Sequence, residues 1–470
     1  ALAAAALVAE GVTGTNVWDD RAALAGTNYF YWIRAANAAG LSEFTLGDAG
    51  VRRIAVPGEV VAEYPVEAST APALGPDGAV YVGTGDWMFN ALDPDLTLRW
   101  RKQIAPGFST PAVLDDGAVC FWASDSKFYV LNADGTERRT WNGVYDTALP
   151  AAIAPDGALC FGDRNRNLYV FNPDGTQRLQ FKARARILAA PVIGADGAMY
   201  FGADDSRLYA VNPDGTLRWT FHVNGVIRGG PAIGADGTLY FGSDDRGVYA
   251  VSFEGRRLWA FQTGNAVSAS PVIGPDGAVF VGSRDNTFYA IRPDGAKRWS
   301  FATGGMITTA GAVAADGTVY FGSGDKRVYA LSAQGAKLWE YAATAAITEA
   351  PLLDKNGRLL VATRSRLVAL HAPTPAAAFP WPQYRRDARR TGAVFPPLVL
   401  SAALNAAGQF VMTFTAVPGR AYQPEVTEDL RRWQPLGDPL APSTAQGVWT
   451  NEPPSAAEVI TRYFRLRLLP

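Results

Sequence analysis

Short apolar runs separated by polar turns recur along most of the chain. Between Pro191 and Phe221 four such runs follow one another, and an Asp-Gly turn joins the first to the second and the third to the fourth. Because glycine takes the positive φ that a tight hairpin needs, both turns predict β-hairpins. The middle turn, Ala203–Arg207, is polar. This stretch is therefore predicted to be a four-stranded antiparallel meander.

The pattern repeats with an almost constant period. An Asp-Gly or Asn-Gly pair marks the first hairpin of eight consecutive units, with a first step of 39 residues and later steps of 40. These pairs begin at Asp77, Asp116, Asp156, Asp196, Asp236, Asp276, Asp316 and Asn356. Nearly continuous apolar runs such as Ala198-Met199-Tyr200-Phe201 indicate strands that are buried on both faces.

Radially stacked blades provide such burial, whereas the competing β-solenoid usually has shorter repeats and does not need four strands per unit. The sequence thus predicts an all-β fold, an eight-bladed β-propeller of four-stranded antiparallel blades. Its closure is also predicted, because Glu59–Tyr64 aligns with Ala336–Tyr341, the fourth strand of a later unit. The last unit, Pro351–Leu370, has three strands, and the N-terminal strand is expected to complete it.

Tryptophan recurs near the end of most units. Gly215 precedes Trp219 by four residues, as in the Ala-x-Asp-x-x-Thr-Gly-x-x-x-Trp docking motif, although the turn here is one residue shorter. The equivalent tryptophans are Trp100, Trp259, Trp299 and Trp339. On these residues the chain resembles the PQQ-like (quinoprotein/BamB-type) propeller repeat family over roughly residues 59–392. Blade two departs, with Trp141 out of step, and blade three has Leu179 instead.

This resemblance implies that the rings wedge between neighbouring blades. The family includes quinoprotein alcohol dehydrogenases and a cofactor-free lipoprotein of outer-membrane assembly. Because one fold hosts unrelated activities, the resemblance does not choose between an enzyme and a scaffold.

The flanking segments are expected to be separate modules. The predicted domains are 1–50, the C-terminal part of a fibronectin type III-like domain; 59–372, the propeller, with 59–64 closing its last blade; 373–397, a Pro/Arg-rich linker that docks on the propeller; and 398–470, a small β-sandwich module. The spacing of Tyr29, Arg34 and Asn37 carries the fibronectin resemblance. Trp381 and Tyr384 are expected to dock the linker on the disc.

Charge and composition narrow the classes of partner. The formal net charge is −1, which argues against a nucleic-acid or anionic-membrane partner. No run approaches the 18 or so apolar residues of a membrane helix, and the apolar start is interpreted as a cut in a longer protein. Modules in series are typical of secreted or cell-surface proteins, and we expect an extracytoplasmic bacterial monomer.

Few residues suggest catalysis. Neither His222 nor His371 has a second histidine or a cysteine at ligand spacing. The resemblance implies that a quinoprotein would hold PQQ with Ca²⁺ on Glu, Asn and Asp and, in the alcohol dehydrogenases, cap it with a disulfide of adjacent cysteines. Cys120 and Cys160 are far apart and fall where other blades carry aromatic residues, so they are interpreted as core residues.

An acidic or amide residue recurs in the middle turn of seven units. The set is Asp86, Asp125, Asn165, Asp205, Asp245, Asp285 and Asp325. A ring of carboxylates suggests a metal collar, but an Asp side chain also fixes its own turn by accepting a backbone N–H. We favour the second interpretation.

Departures from the repeat mark a candidate site on the connections between blades, which are expected to open onto the central channel. Arginine there suits carboxylate or phosphate ligands. The candidate ligand-binding residues are Arg184, Arg186, Arg228, Glu349 and Asp146. The alternative is a solvated rim with balanced charges.

The sequence therefore favours a non-catalytic secreted or surface propeller that binds protein or glycan within a larger protein, without a cofactor. The alternative function is a PQQ- or metal-dependent oxidoreductase with its site at the channel face. A third is an envelope scaffold of the BamB type.

Overall fold

The structure is a computed structural model that divides into two compact units, Ala1–Val56 and Pro57–Pro470. It describes residues 55–105, 107–142 and 149–375, a few single positions after them, and the backbone of short strands elsewhere. In the first unit, β1 (Asn28–Tyr31) pairs with β4 (Asp48–Val51), and β2 (Ala36–Asn37) pairs with β3 (Gly40–Leu41). The fibronectin identity of residues 1–50 stays a prediction.

The second unit begins with β5 (Val60–Tyr64) and continues as four-stranded sheets. Blade 1 contains β6 (Ala73–Leu74), β7 (Val80–Gly83), β8 (Met88–Leu92) and β9 (Leu98–Gln103). Blade 2 contains β10 (Ala112–Val113), β11 (Val119–Ala123), β12 (Lys127–Leu131) and β13 (Glu137–Asn142). Blade 3 contains β14 (Ala152–Ile153), β15 (Leu159–Gly162), β16 (Asn167–Phe171) and β17 (Gln177–Lys182). Blade 4 contains β18 (Val192–Ile193), β19 (Met199–Gly202), β20 (Arg207–Val211) and β21 (Leu217–His222).

The remaining sheets follow the same order. Blade 5 contains β22 (Ala232–Ile233), β23 (Leu239–Gly242), β24 (Gly247–Val251) and β25 (Arg257–Gln262). Blade 6 contains β26 (Val272–Ile273), β27 (Val279–Gly282), β28 (Thr287–Ile291) and β29 (Lys297–Ala302). Blade 7 contains β30 (Ala312–Val313), β31 (Val319–Gly322), β32 (Arg327–Leu331) and β33 (Lys337–Ala342). Blade 8 contains β34 (Leu352–Leu353), β35 (Arg358–Ala362), β36 (Leu367–His371) and the early strand β5.

The predicted eight-bladed propeller of antiparallel meanders is confirmed, and no helix occurs in the residues that the structure describes. Both hairpins of blade 4 use the glycines that the sequence indicated, because Gly197 has φ +77° and Gly215 has φ +87°. The third and fourth strands of that blade shift register between Ala210 and Val211, as a β-bulge does.

The ring closes as predicted. β5 pairs antiparallel with β36, with Tyr64 opposite Leu367. The N–H of Gly58 donates to the carbonyl of His371 at 2.8 Å, and the N–H of His371 donates to the carbonyl of Glu59 at 2.8 Å. The last hairpin of blade 8 is therefore assembled from two distant chain segments.

The core lies between neighbouring blades. Every residue of β7 and β19 is buried, as expected for strands covered on both faces. One apolar cluster joins Val80 and Leu92 of blade 1 to Leu352 and Leu367 of blade 8. Burial between blades thus continues across the closure.

The segment after blade 8 contacts the innermost strands. Gln383 is buried, forms a bridge with Ala312, and accepts a hydrogen bond from the N–H of Leu353 at 3.0 Å through Oε1. The hydroxyl of Thr374 donates to Asp316 at 2.8 Å. Trp381 and Tyr384, the predicted docking residues, lie outside the described residues.

Two three-stranded sheets follow in the C-terminal part of the chain. Their strands are β37 (Val399–Leu404), β38 (Phe410–Thr415), β39 (Tyr422–Thr427), β40 (Gln434–Pro435), β41 (Gln446–Asn451) and β42 (Tyr463–Leu468). The strand orders are β37-β38-β41 and β40-β39-β42. The assignment of residues 398–470 to a sandwich family stays a prediction. In the part of the chain that the structure describes, no helix has the length and apolar character to cross a membrane.

Candidate functional site

The middle turns and the connections between blades share one face of the disc, here called the middle-turn face. The backbone N–H of Asp204, in the middle turn of blade 4, donates to the carbonyl of Arg186 in the connection before that blade at 2.9 Å. In blade 5, Asp244 donates in the same way to Val226 at 2.9 Å. The Asp-Gly hairpins lie at the other ends of the strands and form the hairpin face.

The acidic residues of the middle turns fix those turns. In blade 5, Asp245 Oδ1 accepts the N–H of Gly247 at 2.9 Å, as predicted. Backbone N–H groups within the turn are also accepted by Asp125, Asp285 and Asp325. These carboxylates therefore have a structural partner in their own turns.

Each of these turns is also held by a tyrosine that sequence reasoning missed. The Tyr249 hydroxyl donates to Asp245 Oδ2 at 2.8 Å. Among the described residues the same pair occurs as Tyr129 with Asp125, Tyr209 with Asp205, Tyr289 with Asp285, and Tyr329 with Asp325. The signal was present in the sequence, because tyrosine follows the acidic residue by four positions in each blade concerned.

The pairing stabilises the protonated phenol. Burial, followed by the hydrogen bond to Asp205, raises the pKa of Tyr209 to about 12. Burial and the hydrogen bond to Asp325 raise the pKa of Tyr329 to about 12 as well. These tyrosines therefore remain neutral donors to carboxylates at physiological pH.

A strained residue completes most middle turns. Non-glycine residues take positive φ at Trp87, Ser126, Arg166, Ser206, Arg246, Asn286 and Lys326. In all of these except Ser126, the carbonyl accepts a hydrogen bond from the chain that leaves the fourth strand, as when Val223 N–H donates to Ser206 at 2.9 Å. Such conformations cost energy and persist only where their surroundings enforce them.

Four exposed basic residues lie at the end of β17 and in the connections before blades 4 and 5. Lys182, Arg184, Arg186 and Arg228 are all exposed. Arg186 Nη2 lies 2.6 Å from Asp204 Oδ2, and each keeps part of its side chain in solvent.

The next connection also carries an arginine that pairs with the middle turn, but two positions further along, because the position of Arg186 holds Val226 there. Arg228 Nε lies 2.7 Å from Asp244 Oδ2. In blade 6 the same two positions hold Ser268 and Arg284, whose Oγ and Nε are 3.3 Å apart. The Arg–Asp pair is therefore local to blades 4 and 5 and is not imposed by the repeat.

The other candidate residues have different surroundings. Arg184 is exposed, and its backbone N–H donates to the Tyr209 hydroxyl at 3.3 Å. Glu349 is half-buried at the position that Thr309 occupies one blade earlier. Asp146 lies outside the described residues. Of the five predicted residues, the structure places Arg186 and Arg228 in ion pairs with the middle turns of their own blades.

Neither cysteine is exposed. Cys120 and Cys160 are buried in successive blades, which confirms their predicted place in the core. Among the residues that the structure describes, no group of three or more His, Cys, Asp or Glu side chains is placed to hold a metal ion. The two cysteines of the chain are not adjacent, unlike those that the quinoprotein alcohol dehydrogenase resemblance implies.

Tryptophans bridge the blades near the hairpin face. In blade 4, Trp219 Nε1 donates to the carbonyl of Phe253 in blade 5 at 2.9 Å. The corresponding indoles Trp100, Trp259 and Trp299 bind the next blade in the same way. The predicted wedging between blades is confirmed, and it depends on glycine: a Cβ at Gly255 would lie 2.7 Å from the Trp219 ring.

Comparison with known proteins supports the fold. Residues 204–391 match the family model described as "Outer membrane protein assembly factor BamB". No curated protein matches the sequence. The crystal structure of BamB from Moraxella catarrhalis has 17% identity and a TM-score of 0.58, covering 67% of this chain and 99% of its own.

Two further structures share the architecture. The computationally designed Ika8 protein has 16% identity and a TM-score of 0.58, covering 67% of this chain and 99% of its own. Saccharomyces cerevisiae Sqt1 has 10% identity and a TM-score of 0.59, covering 68% of this chain and 100% of its own. At these identities the similarity concerns the fold.

Proposed function

We propose that the protein is a non-catalytic, extracytoplasmic β-propeller scaffold that binds a carboxylate-bearing protein or glycan on its middle-turn face. One observation carries the proposal: Lys182, Arg184, Arg186 and Arg228 are exposed together at blades 3 to 5 of a chain whose net charge is only −1. Guanidinium groups bind carboxylates through paired hydrogen bonds.

The Arg–Asp pairs leave both guanidinium groups accessible to a second carboxylate. Arg186 and Arg228 retain side-chain exposures of 60% and 45% while bound to aspartates. Exposed pairs of this type contribute only about 0–1 kcal/mol. An incoming carboxylate can therefore share each guanidinium without a large loss of folding stability. The match of residues 204–391 to the BamB family model supports both the scaffold role and the extracytoplasmic location.

Calorimetry of the full chain tests the proposal with two probes, a glutamate-rich peptide and an oligogalacturonate. We expect saturable, salt-sensitive binding of one of them, which also identifies the ligand class. The triple variant Arg184→Glu, Arg186→Glu, Arg228→Glu should lower that affinity at least tenfold.

A matched variant controls for the change in total charge. Arg256, Arg257 and Arg292 are exposed near the hairpin face. Reversing their charges should leave the affinity within about twofold. Equal losses in both triple variants, or no binding of either probe, would exclude the proposed face.

A separate measurement tests the alternative that the protein is an oxidoreductase. Titration with PQQ, with and without Ca²⁺, is followed by tryptophan fluorescence. A flat response agrees with the scaffold, whereas saturable Ca²⁺-dependent quenching would favour the enzyme.

A further inference from the structure

The middle turn of blade 1 places a tryptophan where the other turns place polar residues. Trp87 has φ +68° and is 51% exposed. A bulky side chain in the left-handed region is strained, and such strain points towards a function of the residue that bears it. The residues at the same position in blades 2 to 7 are Ser126, Arg166, Ser206, Arg246, Asn286 and Lys326.

The indole ring is not needed to form this turn. The carbonyl of Trp87 accepts the N–H of Ile104 at 3.0 Å, as the carbonyl of Ser206 accepts the N–H of Val223 in blade 4. The backbone alone therefore holds the departing chain. In the described part of the chain no ring stacks on the Trp87 indole and no cation lies over it. The ring is thus available to a ligand.

A carboxylate lies beside the same turn. Glu67, in the connection before blade 1, occupies the repeat position of Arg186, and Gly85 occupies that of Asp204. The N–H of Gly85 donates to the carbonyl of Glu67 at 2.9 Å, so the backbone arrangement is that of blade 4. A Cβ at Gly85 would lie 3.1 Å from Glu67 Cδ. The acidic side chain therefore lies over a glycine, where blade 4 has an ion pair.

This carboxylate is not neutralised by its surroundings. Glu67 is exposed, and among the described residues no hydrogen bond or ion pair engages its side chain. The other acid of the turn is occupied, because Arg101 Nη2 lies 2.9 Å from Asp86 Oδ2 and the Thr84 hydroxyl donates to Asp86 Oδ1. One unpaired negative charge is therefore left beside Trp87.

The ring and the carboxylate are within reach of a single ligand group. Gly85 and Trp87 are two residues apart, so their Cα atoms are separated by at most about 7 Å. Glu67 lies over the first of them, and the indole belongs to the second. A basic side chain combines a cation with a long apolar stem, so it can contact both groups.

The charge of the turn selects among ligand classes. An anionic group is disfavoured by Glu67. A neutral sugar stacks on tryptophan but also needs hydrogen-bond donors, and the arginine of this turn is already bound to Asp86. A cation satisfies the unpaired carboxylate and is attracted by the face of the indole as well.

From these observations we infer that Trp87 and Glu67 bind a basic side chain of a partner polypeptide at the middle turn of blade 1. The carboxylate pairs with the cation, and the indole packs against it.

This site goes beyond the proposed function, because it binds the opposite charge elsewhere on the same face. Blades 1 and 5 are opposite each other in a ring of eight, so Glu67 and Arg228, which precede them, lie across the ring from each other. A partner that carries both charges is therefore bound in one orientation.

The probe is a capped tetra-arginine peptide, titrated into the full chain with ¹⁵N-labelled tryptophan. The Trp87 indole resonance is assigned by its loss in Trp87→Phe. We expect a saturable shift of this resonance that weakens at high salt, because an ion pair contributes to binding. The glutamate-rich peptide should not shift it.

Two variants test the two groups separately by calorimetry. Trp87→Ser removes the ring and introduces the residue that blades 2 and 4 have at this position. It should raise the dissociation constant of the arginine peptide at least fivefold, while the melting temperature stays equal or rises because a bulky strained residue is lost. Glu67→Gln removes only the charge and should also raise the dissociation constant at least fivefold.

Two further variants are the controls. Trp87→Phe keeps an aromatic ring and should bind the arginine peptide within about threefold of the native chain. Glu254→Gln removes an exposed carboxylate from a turn of the hairpin face and should leave the affinity within about twofold.

The proposed carboxylate site and this site fail separately. The triple variant Arg184→Glu, Arg186→Glu, Arg228→Glu should bind the arginine peptide at least as tightly as the native chain. Trp87→Ser should bind the ligand of the proposed site with unchanged affinity. Loss of one activity without the other therefore identifies which site is wrong.

Two results would overturn the inference. One is the absence of a saturable shift of the Trp87 resonance with the arginine peptide. The other is equal affinity of Trp87→Ser, Glu67→Gln and Glu254→Gln for that peptide. A saturable shift caused by neutral maltohexaose, without one caused by the arginine peptide, would assign the ring to a glycan instead.

Discussion

The indole ring of Trp339 lies directly over Gly58, so that the seventh blade docks on a residue from the opposite end of the propeller sequence. Gly58 has φ +85°, and a Cβ there would lie 2.9 Å from Trp339 Cε3. Blades 2 to 7 bring such a glycine from an intact hairpin. Here the hairpin is completed only when β5 joins β36, so docking of Trp339 and closure of the ring depend on each other.

Gly58→Ala should therefore destabilise the closed ring by about 2–4 kcal/mol, combining the cost of a left-handed non-glycine residue with ring overlap. Urea denaturation of the full chain measures this change. Gly117→Ala is the matched control, because Gly117 has φ +84° but its added Cβ would meet Ala133 at an ordinary 3.6 Å. It should cost only about 1–2 kcal/mol. Equal costs would show that the Trp339 contact is unimportant.

The Asp–Tyr pairs of the middle turns should contribute measurably to stability. Tyr249→Phe removes a hydrogen bond to a carboxylate and should lower the free energy of unfolding by about 1–2 kcal/mol. Tyr320→Phe is the control, because the buried Tyr320 hydroxyl has no hydrogen-bond partner. That variant should be neutral or slightly stabilising. If both variants lost stability equally, the hydrogen bond would not be the cause.

Stability should decrease at alkaline pH. Burial and aspartate hydrogen bonds raise the pKa of Tyr209 and Tyr329 from 10.0 to about 12 in the folded protein. Between these values the unfolded chain loses protons that the folded chain keeps, so the free energy of unfolding falls as pH rises from 10 towards 12. Urea midpoints measured from pH 8 to 11.5 check the prediction, and Tyr209→Phe should flatten the decline. A midpoint independent of pH across this range would contradict it.

The repeat made most of the fold predictable because its determinants are local. Asp-Gly turns specify hairpins within a few residues, and the alignment of Glu59–Tyr64 with a fourth strand indicated closure without knowledge of tertiary contacts. The strained residues of the middle turns were not predictable in this way. Trp87 and Lys326 have no local preference for positive φ, and their conformation is imposed by hydrogen bonds from the chain that leaves the fourth strand.

The candidate site was predicted less completely for a related reason. The sequence indicated Arg186 and Arg228 as residues of the connections between blades, but their pairing with Asp204 and Asp244 depends on how those connections fold against the middle turns. At the boundary of blades 2 and 3 the sequence showed only that Trp141 is out of step, and the structure shows that its indole N–H still donates to the carbonyl of Gly175 in blade 3 at 3.0 Å. At the boundary of blades 8 and 1 the residue that fills the space comes from the neighbouring blade, because Leu96 is buried beside Ala62.

Leu96 provides the last test of this relationship. It has φ +67° where other blades place glycine, yet it is almost fully buried beside the short Ala62 of blade 8. Leu96→Gly should relieve about 1–2 kcal/mol of backbone strain but lose about 2–5 kcal/mol of packing. Leu96→Ala keeps the strain and loses nearly as much packing, so it should be the less stable of the two. The expected order of stability, from urea midpoints, is leucine, then glycine, then alanine. At ordinary buried positions a protein with alanine is more stable than one with glycine. If the alanine variant were the more stable here too, the left-handed conformation would not be enforced at this position, and Leu96 would not be needed to fill the boundary.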